Sequence, residues 1–228
     1  MTSGPPSTLP PAALGPLIQG LSLLCWALPL AVVICVQTAR TDWLRAWGLW
    51  PAVLTTGLVW GAVHRLAQIE SCHAGLPTLE KIRLLALIAW GSSPFLYWHG
   101  RLPQQPWFET MVLVAAVVGV LLLLQFNRWL RELAPLLADP GLHKEMAVLV
   151  PWNRAWLRAG LGLLLLAEAI SHFQTAHPAA LRIATVLDRH SFLFWVVFLL
   201  APLAMTLALL WKTKAAAWNA LLRRAGTN

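Results

Sequence analysis

Glu168 and His172 stand four residues apart in the apolar run LGLLLLAEAISHF. On a helix that spacing stacks two side chains on one face, a turn apart. A carboxylate at membrane depth is costly to keep there and is a functional candidate by default. His99 and His190 stand at the edges of two other apolar runs, with Asp188, His177 and Glu109 predicted on the same side. Imidazole and carboxylate together form the ligand set of Zn, Cu or non-haem Fe. A facing histidine pair can ligate haem, and a Glu–His pair can relay protons or hold a quinone headgroup. Glu168, His172, His99 and His190 are therefore the candidate metal- or haem-binding residues. A plainer account competes with this one. Histidines at span edges serve as interfacial polar residues, and Glu168 can pair with Arg101 or Arg182.

Composition decides what must position these residues. The chain has 228 residues, 58% apolar and only 11% charged, with a mean hydropathy of +0.65. A soluble domain carries about 25% charged residues, and a chain this apolar cannot remain solvated and disordered. The composition predicts a polytopic membrane protein. A bilayer crossing needs about 20 apolar residues in a helix, and six runs qualify: 12–37, 47–68, 83–99, 106–128, 156–173 and 191–211. The third contains Gly91-Ser92-Ser93-Pro94 and the fifth contains Glu168, so these two are the candidates for re-entrant or interfacial placement. The expected fold is all-α: a single six-helix transmembrane domain over 12–211. A Pro-rich tail (1–11) precedes it and a basic cytoplasmic tail (212–228) follows.

Seventeen Lys and Arg against nine Asp and Glu give a net charge of +8. With the N-terminus inside, twelve of the seventeen bases fall on cytoplasmic segments and five on outer ones, so the positive-inside rule favours both termini in the cytoplasm. Bases at the ends of apolar runs suit anionic headgroups, and nucleic acid is not expected as a partner. Most of the fourteen Trp, among them Trp43, Trp47, Trp50, Trp98, Trp107, Trp129, Trp152, Trp156, Trp211 and Trp218, sit at span edges as an aromatic belt. Cys25, Cys35 and Cys72 have the spacing of neither a redox nor a zinc motif.

The long connection 127–158 begins RWLRELAPLLADP, whose leucines fall near helical spacing. It predicts a short amphipathic helix in the cytoplasmic interface, broken near Pro135 and ended by Asp139-Pro140-Gly141, then a second interfacial turn over 148–158. Gly57 and Gly61 form a GxxxG in the second span, suited to packing within the chain or to a homo-oligomer seam. Pro29 and Pro202 should kink their spans. His64-Arg65 and Cys72-His73 read as solvated ends. No internal repeat supports an inverted-repeat transporter. HExxH, P-loop, GxGxxG and GxSG patterns are absent.

These features predict a multi-pass inner-membrane protein, more plausibly a non-enzymatic subunit or assembly factor of a bacterial envelope complex than an enzyme. Two alternatives are a metal- or haem-binding redox subunit using the outer His/Glu residues, and a small-solute or proton pathway through Glu168.

Overall fold

The computed structural model of the chain describes residues 9–41, 44–68, 79–102, 104–137, 139–173 and 178–225. Among the described residues there are six α-helices: α1 (Pro11–Arg40), α2 (Trp50–Ala67), α3 (Leu79–Arg101), α4 (Pro106–Leu133), α5 (Pro140–Phe173) and α6 (Pro178–Ala225). No strand occurs among the described residues. Proline opens five of the six, at Pro11, Pro51, Pro106, Pro140 and Pro178. The first turn of a helix has no internal partner for its N–H, so a residue lacking one is at no disadvantage there. Gly48, at φ +63°, makes the left-handed turn that leads into α2.

Successive helices run antiparallel. Along α5 and α6, Glu145 meets Lys212, Asn153 meets Thr206, and Gly160 lies against Phe198, one number falling as the other rises. At one end of the bundle the Leu9 amide donates to the Leu136 carbonyl at 3.4 Å, tying the start of α1 to the α4–α5 turn. At the other end, the end of α1 approaches the end of α3 at Thr38 and Gly100. With Glu145 and Lys212 at the first end too, the beginning of the bundle and the end of α6 lie together.

α1 is the innermost element. Leu14, Leu17, Leu21, Leu24 and Leu28 repeat at helical spacing and are buried against α2, α3 and α6. Outside, the pattern inverts that of a soluble bundle. Every helix exposes large apolar residues, such as Trp26 at 77% and Leu30 on α1, Leu54 on α2, Leu84 on α3, Trp107 on α4, Leu166 on α5 and Leu200 on α6. An apolar skin around an apolar core belongs in lipid. Three helical stretches among the described residues, Ala13–Ala39, Pro106–Leu137 and Phe198–Arg223, are long and apolar enough to cross a membrane. The chain is an all-helical membrane protein.

Two expectations need correction. Residues 148–158 form no separate interfacial turn, because α5 runs unbroken through them to Phe173. Asp139-Pro140-Gly141 starts this helix: the Asp139 carboxylate accepts from the Gly141 and Leu142 amides at 2.9 and 3.3 Å, filling the orphan donors of a first turn. Residues 212–225 of the basic C-terminal segment are helical and form the last turns of the 48-residue α6. The break near Pro135 is present as a 3-10 turn, Ala134–Leu137.

Candidate functional site

The outer candidates do not assemble into a described site. His99 lies in the last turn of α3, half-buried, its Nδ1 buried without a hydrogen-bond partner. Glu168 is exposed on α5. His172 and His190 fall within α5 and α6, but their side chains lie outside the described residues, as do those of Asp188 and Arg182. Among the described residues no three His, Cys, Asp or Glu gather closely enough to hold a metal ion. Arg101, offered as an ion-pair partner for Glu168, has its guanidinium 5.4 Å from the Tyr97 ring centre in a cation–π contact. Cys72 and His73 lie outside the described residues, and Cys25 and Cys35 form no disulfide. His64 is exposed and stacks on Trp60, which stacks in turn on Trp90 of α3.

A different constellation lies where α4, α5 and α6 meet. Asn127, Asn153 and Thr206 are each 0% exposed. The Asn127 amide nitrogen donates to its own helix at the Leu123 carbonyl (2.8 Å) and to Thr206 Oγ1 (3.0 Å). Asn153 Nδ2 donates to Asn127 Oδ1 (3.0 Å) and to Thr206 Oγ1 (2.9 Å). Thr206 accepts both amides and passes its own proton to the Pro202 carbonyl at 2.8 Å. Three helices are thus joined by three interhelical hydrogen bonds inside an apolar bundle. Each such bond contributes about 0.6 to 1.7 kcal/mol in a membrane. Only Asn153 Oδ1 is left without a partner.

The next residue on each of two helices is an arginine. Arg128 follows Asn127 and Arg154 follows Asn153. Arg154 is half-buried, and its Nε has no acceptor. Arg128 pairs with Glu132 at 2.9 Å along α4. Further toward the shared end, Lys212 of α6 pairs with Glu145 of α5, and Lys214 lies 5.0 Å from the centre of the Trp211 ring.

Sequence reasoning missed this cluster because its members fell into different classes. Asn127 ended a span, Asn153 belonged to a supposed loop, and Thr206 is a common residue in an apolar helix. The available signal was an amide directly after the run LLLLQF, since an Asn there must find partners or reach water.

The second-span glycines have separate roles. A Cβ on Gly57 would come within 3.1 Å of the Trp90 indole nitrogen, so this glycine seats an α3 side chain within the chain. Gly61 has nothing within 4 Å. Gly20 of α1 is the tightest crossing: a Cβ there would stand 2.6 Å from Leu66 Cδ2.

No protein family, curated protein or solved structure matches this chain.

Proposed function

We propose that this chain is a six-span inner-membrane protein of the bacterial envelope, with both termini cytoplasmic, acting as a non-enzymatic subunit or assembly factor of a larger complex. The observation that carries the proposal is the Asn127–Asn153–Thr206 cluster. Three fully buried polar side chains bond across helices to one another, which makes them a fastening between helices and leaves no activated nucleophile or proton donor among them. Common placement of the bundle's beginning and the end of α6 supports the even span count, and twelve bases against five support that end as cytoplasmic.

The test is native mass spectrometry of the chain extracted from its own membranes, combined with labelling of its termini from each side. A particle well above 25.1 kDa with both termini inside is the expected result. A lone chain that moves a solute across a reconstituted bilayer would replace the proposal.

A second reading, the metal- or haem-binding redox subunit, has one observation in its favour: the buried, unpartnered Nδ1 of His99. A buried imidazole nitrogen of that kind is placed to hold a hydrogen-bond partner or a metal ion. Metal analysis and a visible spectrum on wild type and on the His99→Ala and His172→Ala variants decide it. A stoichiometric metal or haem band lost in either variant supports it, and a bare spectrum removes it.

A further inference from the structure

The hydrogen-bonded asparagines fix more than the helix spacing. Because Asn127 and Asn153 are joined, Arg128 and Arg154 are carried to the same level on adjacent helices. Arg131 lies a turn further along α4 and Arg158 a turn further along α5, on opposite sides of that level because the two helices run antiparallel. Arg154 lies outside the predicted fifth span, yet its guanidinium is pushed below its ordinary pKa. The causes are burial first, then the positive charges of Arg158, Arg128 and Arg131, with Glu132 opposing them. Four guanidinium groups therefore share one field with one carboxylate, and that carboxylate is already engaged by Arg128.

Such a group needs an anion. Cations concentrated at a partly buried place repel one another, and an unpartnered buried guanidinium nitrogen forfeits the hydrogen bond it would make in water. Arginine offers a planar fork of donors that matches phosphate oxygens two at a time. The surroundings point to a particular source. At the same level of α5, Trp152 is exposed and Trp156 is half-buried against Phe198 of α6, as indoles at headgroup level are. Above Arg158 the same α5 face continues through Gly162, with nothing within 4 Å of the place a side chain would fill, to the exposed Leu165 and Leu166. A charged foot below an open apolar track has the shape of one phospholipid.

We propose that Arg128, Arg131, Arg154 and Arg158 form a binding site on the α4–α5 face for the phosphate of an anionic phospholipid, with an acyl chain lying along α5. The proposal rests on the membrane placement of the bundle but fails separately from it. Chain that will not enter bilayers discredits the placement, whereas chain that inserts without lipid preference discredits only the site.

The experiment uses the full chain in nanodiscs of phosphatidylcholine with or without phosphatidylglycerol, reading retained lipid by native mass spectrometry. Wild type should retain phosphatidylglycerol in preference to phosphatidylcholine. Arg154→Gln and Arg131→Gln should each weaken that preference about fivefold, while Arg223→Gln, on the far part of α6, leaves it unchanged. Arg131 is exposed, so its variant keeps the test valid if Arg154→Gln does not fold. Equal retention by wild type and Arg131→Gln overturns the site. Displacement of the lipid by millimolar inorganic phosphate, with equal stabilisation, would assign the arginines to a soluble phosphate compound and overturn the lipid source.

Discussion

The two halves of the bundle are held by different means. Where α1, α2 and α3 meet, the buried contact is steric and apolar: Gly20 admits Leu66, Gly57 admits Trp90, and Trp60 bridges Trp90 and His64 by ring stacking, with an exposed Arg65–Gln19 hydrogen bond at 3.4 Å outside it. Where α4, α5 and α6 meet, amide and hydroxyl groups bind one helix to the next. Lipid explains why both devices are needed. Apolar helices gain nothing from water by associating, so association depends on close backbone approach or on hydrogen bonds that lipid cannot offer. A soluble protein of this size would have used hydrophobic burial throughout. The comparison also separates their tolerances, since a steric seam fails when something is added and a polar seam fails when something is removed.

That difference can be broken from either side. Gly20→Val should have the largest effect, because an added Cβ alone already overlaps Leu66. A loss of about 3 kcal/mol is expected in reversible unfolding from detergent micelles. Next comes Asn127→Leu, which strips Asn153 Nδ2 of one acceptor and Thr206 of one donor. About 2 kcal/mol should be lost. A double-mutant cycle of Asn127→Leu with Thr206→Val should give a coupling of about 1 kcal/mol, and additivity would deny that the cluster acts as a unit. Gly57→Ala and Gly61→Ala sharpen the contrast within one motif. The first presses on Trp90 and should lose about 1 kcal/mol, while the second enters open space and should stay within about 0.5 kcal/mol. If Gly61→Ala changes the native mass of the complex instead, that face is an intermolecular seam. The smallest effect belongs to Glu145→Gln. Its pair with Lys212 is about half exposed on both sides, so a change below about 1 kcal/mol is expected, vanishing in high salt.

Much of the architecture was legible in the residues. The apolar runs 12–37, 47–68, 83–99 and 106–128 fall within a few residues of α1 to α4 at most ends, because hydropathy and helix coincide where a helix lies in lipid. They part where a helix leaves it. α5 begins sixteen residues before its apolar run, and α6 both precedes and outlasts the run 191–211. Backbone hydrogen bonding does not have to stop where an apolar run stops, so hydropathy marks the apolar stretch and not the end of the helix. Asp139-Pro140-Gly141 was ambiguous for a related reason, since the same three residues can close a turn or open a helix, and the partners of Asp139 decide which. The buried Asn–Asn–Thr cluster depends on side chains 79 and 53 residues apart in sequence, a relation that spacing along one helix does not encode. The candidate histidines were legible as residues, whereas a meeting of their side chains depends on rotamers and loop path that no periodicity specifies.

The length of α6 has a mechanical meaning. Its 48 residues make a rod of about 72 Å, more than twice a hydrocarbon core of about 30 Å. One continuous element is therefore long enough to reach both faces of a membrane, and a tilt of about 10° at its middle swings each end by about 6 Å. The Asn127–Asn153–Thr206 joint lies near the fulcrum of that rod. A displacement at one end of α6 is therefore carried to the other by the same rod, with the three-helix joint between them.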